Sequence, residues 1–187
     1  MDGIIWILRT GAPWRDLPAS IGNWSSVWDA FDRWNNDGTL ADVLARLIAS
    51  HVDVGAIDNE LWLVDGTVVR AARCAAGGGK HDDPEEPEDH GLGRSRGGFS
   101  TKIHLVCDAQ GHPLAATITP GQDHESQSLC ELLESVDAAD HEGQLLPLPD
   151  KIAGDKGYRA EWIDDYLLEH GITPVIPSKA KEDRSQR

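Results

Sequence analysis

Apolar residues recur at the helix period through the first fifty positions and then give way to the runs of a sheet. Ile4, Ile5 and Leu8 mark one short helical face, which Gly11-Ala12-Pro13 breaks, and Asp16-Leu17-Pro18 is a second turn signal. After Asn23, the side chains of Val27, Trp28, Phe31 and Trp34 fall on one stripe, predicting a helix that Asn35-Asn36-Asp37-Gly38 stops. Thr39 is the expected cap of a third helix, with Leu40, Val43, Leu44, Leu47 and Ile48 as its stripe. Residues 1–55 therefore read as a small helical region. Its tryptophans Trp24, Trp28 and Trp34 are assigned to core packing rather than to a base-stacking platform.

From Leu61 to Val69 a β-rich run predicts a strand with Asp65 in its middle. The stretch from Ala75 to Gly98 is Gly-rich and acidic, too polar for a core, and is expected to be a mobile loop. Lys102 to Cys107 and Leu114 to Ile118 are two further strands joined at Asp108-Ala109-Gln110-Gly111. A helix is expected over His124 to Val136 on Leu129, Leu132, Leu133 and Val136. Lys151 to Asp155 is a short strand, Ala160 to His170 a helix stopped at Gly171, and Ile172 to Ile176 a last strand.

The order β-β-β-α-β-α-β implies an α/β domain: a mixed sheet with helices packed on its faces, the order of the ribonuclease-H-like fold. It is expected to occupy residues 60–178, followed by a polar tail at 179–187. No internal repeat is visible.

Composition narrows the function classes. The chain has 187 residues, 40% hydrophobic and 26% charged, a length and balance suited to a folded core. No apolar run approaches the roughly 18 residues that span a bilayer, and the start lacks a basic signal region, so a cytoplasmic protein is expected. Cys74, Cys107 and Cys130 are odd in number and widely spaced, which argues against disulfides or a zinc site. The eight histidines show no ligand spacing either, and His104 and His124 are read as structural. Against 17 Lys and Arg stand 32 Asp and Glu, a net charge of −15, the opposite of what an autonomous phosphate-gripping protein needs.

Asp65 and Asp155 are the candidate chemical groups. A carboxylate inside an apolar strand is costly to bury without a partner. Asp65 is explained either as a strand end bonded by the Gly66 and Thr67 amides or as a metal ligand. Asp155, in Lys151-Ile152-Ala153-Gly154-Asp155-Lys156-Gly157-Tyr158, repeats the pattern beside glycines. In the expected topology the first and fourth strands are neighbours, so two acids about ninety positions apart meet and could share Mg²⁺, which favours one or two carboxylates with waters and phosphate oxygens.

Four stretches, in order, resemble the landmarks of one family: Ile7 to Pro18, Leu63-Val64-Asp65-Gly66-Thr67, Ser95 to His104, and Ala153-Gly154-Asp155-Lys156-Gly157-Tyr158. The family is the insertion-sequence-five group of bacterial transposases. The resemblance implies a ribonuclease-H-like catalytic domain whose Asp, Asp, Glu triad binds Mg²⁺ or Mn²⁺, with the first two acids matching Asp65 and Asp155. It implies in-line attack on a phosphodiester, first by water and then by a freed 3′ hydroxyl, with two metals about 4 Å apart. The family's third acid, a Glu on a helix after the last strand, has no match. Glu182 stands in a polar tail without an apolar stripe and is not assigned to that role. Both ends therefore read as truncated.

Arg94, Arg96 and Lys102 form a basic cluster among glycines, either DNA contacts or a solvated loop that balances the acidic run. Lys156, Tyr158 and Arg159, beside Asp155, are candidate phosphate contacts, with ordinary surface charge as the alternative. The expected partners are DNA, as element ends and target, and a homo-oligomer or a full-length transposase. Two functions from different classes follow: a transposase fragment that is inactive alone, or a non-catalytic regulator that binds DNA or transposase. A metal-dependent nuclease outside transposition is the third possibility, and the four landmarks argue against it.

Overall fold

The computed structural model describes residues 1–71, 91–95 and 98–178. The chain divides into two compact units, Met1–Ala49 and Ser50–Arg187. Among the described residues no helix is long and apolar enough to cross a membrane.

The first unit carries α1 (Asp2–Thr10), α2 (Trp24–Asn36) and most of α3 (Thr39–Asp53). Helix α1 stops where Gly11 takes φ 65° and returns its N–H to Ile7 O at 2.8 Å, a left-handed conformation that glycine adopts without a Cβ clash. Asn23 caps α2, its Oδ1 accepting the Ser25 N–H at 3.0 Å and the Ser25 hydroxyl at 2.9 Å. Replacing Asn23 by alanine should lower the stability of this unit by about 1 kcal/mol. Denaturant unfolding followed through the tryptophan fluorescence of this unit measures that loss.

Two expectations for this unit are corrected. Thr39 is not the capping group: its own N–H is bonded by Asp37 Oδ1 at 3.0 Å, because the preceding turn already aims that carboxylate at the helix start. The apolar stripes also stay largely open. No residue of α2 is buried, Trp24 and Trp28 are exposed, and so are Val43, Leu44 and Leu47 of α3. Three short helices in about fifty residues enclose too little interior to cover every stripe.

The second unit is built on a six-stranded sheet. Its strands are β1 (Leu61–Arg70), β2 (Gly93–Ser95), β3 (Gly98–Asp108), β4 (Pro113–Pro120), β5 (Lys151–Gly154) and β6 (Thr173–Val175). Strand β3 lies antiparallel to β1, β2 and β4, whereas β5 runs parallel to β1 and β6 parallel to β5. Setting aside the short β2, the spatial order β4-β3-β1-β5-β6 is a three-strand meander extended by two crossover strands. This is the ribonuclease-H-like arrangement. The Gly-rich stretch expected as a loop contributes β2 near its end, and its parts at 75–90 and 96–97 lie outside the described residues.

Helices α4 (Leu129–Glu134) and α5 (Glu161–Glu169) close the core. Trp62, Val64, Val106 and Ile152 of the sheet are buried, as are Leu129, Leu132, Ile163 and Leu167 of the helices. The expected helix over His124 to Val136 is divided, with Glu125–Ser128 forming a tighter 3-10 turn before α4. Its polar side chains bond locally and across to β3. Ser126 Oγ lies 3.0 Å from His124 Nδ1, and Ser128 Oγ lies 3.0 Å from His104 Nε2. Helices were expected on both faces of the sheet, yet Leu63, Leu105 and Ile118 on the opposite face remain exposed.

Hairpin β3-β4 is locked by Asp108, which is fully buried. Its carboxylate accepts N–H groups from Asp58 at 2.9 Å, Gln110 at 3.0 Å and His112 at 2.8 Å, and lies 2.9 Å from His112 Nδ1. Burial alone would raise its pKa, but the Asp58 amide and then His112 outweigh it and hold the carboxyl below its ordinary value.

Candidate metal centre

Asp65 and Asp155 are brought together by register. The parallel ladder between β1 and β5 pairs Val64 with Gly154, so the next position on each chain is an aspartate. Adjacent strands run about 4.8 Å apart. Asp65 sits where β5 ends and β1 continues alone on that side, and Asp155 turns off into the 3-10 segment Lys156–Tyr158.

Both carboxylates are held by the backbone beside them. Asp65 Oδ1 accepts the Gly66 N–H at 2.8 Å, and Asp155 Oδ1 accepts the Gly157 N–H at 2.7 Å. Neither has an ion-pair partner among the described residues. The expectation that Asp65 is buried in its strand is corrected: both aspartates are exposed, so the cost of desolvation is avoided rather than offset.

The glycines beside them are closely packed. A Cβ on Gly154 would lie 2.8 Å from Val64 Cγ1. One on Gly157 would lie 2.8 Å from Asp155 Oδ1 and 1.9 Å from Glu125 Oε2, which places a further carboxylate over the same glycine. No three potential ligands converge into a ready-made set among the described residues. Two exposed carboxylates at adjacent register positions, both hard oxygen donors, nevertheless suit Mg²⁺ or Mn²⁺, which retain waters and take phosphate oxygens.

Beneath the aspartates lies a buried polar layer. Tyr158 is fully buried, and its hydroxyl stands 3.1 Å from His104 Nδ1. His104 is also fully buried, with Nε2 at 2.9 Å from Thr119 Oγ1 and 3.0 Å from Ser128 Oγ. Burial, then the Lys102 charge, depresses the His104 pKa, although Glu125, Asp123 and Glu131 pull the other way. Burial, then Glu125, Asp65 and Asp155, pushes the Tyr158 hydroxyl far above its ordinary value. A neutral ring and a protonated phenol result.

The candidate DNA contacts separate into groups. Lys102 is corrected: it is buried, with Nζ donating to Asp123 O at 2.8 Å and to Glu125 Oε1 at 3.4 Å. Tyr158 is corrected for the same reason, its hydroxyl being turned into the core toward His104. Arg159 pairs with Asp164 at 3.0 Å and donates to Ile176 O at 3.3 Å, which ties it to the end of the sheet. Lys156 and Arg94 are exposed, the latter with its guanidinium 5.8 Å from the Phe99 ring centre. Arg96 and Glu182 lie outside the described residues.

Comparison with known proteins gives matches along nearly the whole chain. A family model described as a putative transposase of the IS4/5 family matches residues 1–44, and one described as the transposase DDE domain matches residues 58–186. The putative transposase for insertion sequence element IS402 of Burkholderia cepacia is 33% identical over 86 residues, covering 46% of this chain and 41% of the relative. The uncharacterized protein y4sN of Sinorhizobium fredii is 36% identical over 77 residues, covering 41% of this chain and 57% of the relative. The chain thus spans about half the length of the curated relatives it matches. Among solved structures, the Mos1 strand transfer complex is similar over 97% of this chain and 58% of its own, with 12% identity and a TM-score of 0.39. The piggyBac transposase synaptic complex with hairpin DNA is similar over 66% of this chain and 24% of its own, with 15% identity and a TM-score of 0.40.

Proposed function

The chain belongs to the transposase DDE-domain family, and from that premise we propose that Asp65 and Asp155 hold a divalent metal for phosphodiester cleavage and strand transfer at insertion-sequence ends. The observation that supports this reading is the register: Val64 opposite Gly154 leaves two exposed aspartates side by side where one strand ends. When bound, Mg²⁺ or Mn²⁺ supplies charge stabilisation for an in-line displacement at phosphorus. The chain's own contribution is position. The Gly66 and Gly157 amides orient one oxygen of each carboxylate, leaving the other lone pairs free to ligate. Gly154 and Gly157 let Val64 and Glu125 pack closely beside the aspartates, and Lys156 is an exposed cation beside Asp155 for a DNA phosphate.

Titration with Mn²⁺, followed by the loss of its free-ion resonance signal, tests this reading. The unaltered chain should take up the ion, and Asp65→Asn and Asp155→Asn should each weaken uptake about tenfold or more. Uptake that neither substitution changes would refute it. The same substitutions should abolish any metal-dependent cutting of element-end DNA.

The acidic balance of the chain, 32 Asp and Glu against 17 Lys and Arg, favours a second reading, a regulator that acts on full-length transposase without cutting DNA. It predicts that the Asp155→Asn chain still inhibits the full-length enzyme as well as the unaltered chain does. A metal-site role for the inhibition predicts that this effect is lost.

A further inference from the structure

The ladder between β1 and β5 ends at Val64 and Gly154, so beyond that pair the strand pairing no longer fixes Asp65 against Asp155. Tyr158 stands at that gap. Its ring reaches the residue before Asp155, with Cδ2 3.4 Å from the point where a Cβ on Gly154 would stand. Its hydroxyl reaches the residue after Asp65, 3.2 Å from the corresponding point on Gly66. One side chain thus bears on both aspartate turns from within the core, and it has no exposed surface. The near end of this side chain is fixed by its own turn, where the Tyr158 N–H donates to Asp155 O at 3.2 Å. His104 secures the far end. It is paired with Gly66 in the β1-β3 register, its Nδ1 lies 3.1 Å from the Tyr158 hydroxyl, and its Nε2 is tied to Thr119 and Ser128.

We propose that Tyr158 is a positioning residue that sets the spacing of Asp65 and Asp155, a strut between their turns with His104 as its anchor. The inference rests on the reading of the two aspartates as metal ligands given above. A small divalent ion holds its oxygen ligands to a narrow geometry, and carboxylates on two separate turns keep that geometry only if packed side chains behind them hold it. The competing account is that Tyr158 is a large core side chain and nothing more. The accounts part at Tyr158→Phe, which keeps the ring and removes only the hydroxyl. A core role costs stability and leaves the Mn²⁺ affinity of the folded chain unchanged, whereas a strut loses affinity as well.

The experiment is Mn²⁺ titration of the full chain and its variants, each at a temperature where thermal unfolding shows it to be folded. Tyr158→Phe should weaken uptake about tenfold, and His104→Phe, which leaves the phenol in place and takes its anchor, should weaken it similarly. Ile172→Val is the control for stability alone, because Ile172 is buried just before β6, whose first residue pairs with Lys151 at the opposite end of β5 from Asp155. It should lower the melting temperature and leave uptake unchanged. Asp65→Asn and Asp155→Asn are the references. If both references lose uptake while Tyr158→Phe binds like the unaltered chain, the strut is overturned and the aspartate site stands. An equal loss in Ile172→Val overturns it too, since the effect is then one of general stability. If neither reference changes uptake, the aspartate site falls and the strut with it. Should Tyr158→Phe fail to fold, His104→Phe decides alone: weaker uptake supports the strut, and unchanged uptake overturns it.

Discussion

Replacing Trp62 by alanine should destabilise the sheet unit by about 3–5 kcal/mol, a large part of the roughly 5–15 kcal/mol that holds a typical domain folded. Trp62 has no exposed surface and lies near the start of β1, opposite Asp108 on β3 and Ile152 on β5. Its Nε1–H also donates to Asp58 O at 3.1 Å, next to the amide that binds Asp108. The substitution therefore opens a cavity and strips a partner from the segment leading into β1. Urea unfolding followed by circular dichroism reads the loss without depending on the indole removed. Trp162, about half exposed on α5, is the control, and its alanine variant should shift stability by less than about 0.5 kcal/mol. Similar losses at both positions would contradict the assignment of the core.

His104→Phe should cost about 3 kcal/mol near neutral pH, because a ring of similar size leaves the Tyr158, Thr119 and Ser128 hydroxyls without their shared partner. The penalty should also depend on pH. The folded ring resists protonation, its pKa being depressed, while the unfolded ring takes up a proton near its ordinary 6.5. Below that value the unfolded state binds more protons, so the stability His104 contributes is full above about 6.5 and is lost as pH falls toward the folded pKa. The gap in unfolding midpoint between the unaltered chain and His104→Phe should therefore narrow from about pH 7.5 to about pH 5.5. A gap that widens on acidification would show that the folded ring carries the proton.

The sheet and its order were legible because Leu61 to Val69, Lys102 to Cys107 and Leu114 to Ile118 carry β-branched residues between clear turn signals. The meeting of Asp65 and Asp155 followed from that order, since a parallel crossover places the first and fourth strands side by side. What the sequence hid was which side of β3 faces the helices. Alternation puts Ile103, Leu105 and Cys107 on one side and Lys102, His104 and Val106 on the other, and hydrophobicity alone would turn the first set inward. The fold does the reverse: His104 and Val106 are buried and Leu105 is exposed. Lys102 and Tyr158 were read as DNA contacts for the same reason, as polar side chains whose partners come from distant segments. The contacts of Glu125 with Gly66, Lys102 and Gly157 were hidden because these residues are far from it in sequence.

The inward side of β3 also has a consequence for how this hairpin assembles. Ser100, Lys102, His104 and Asp108 form a row of polar groups along one strand, and the latter three each have named partners elsewhere in the unit. A strand lined by interchangeable aliphatic residues could slide by two positions and lose little. Here such a slide would put an ammonium where an imidazole belongs and leave the carboxylate of Asp108 away from its amides. Misaligned pairings of the meander are thus penalised by chemistry rather than by shape.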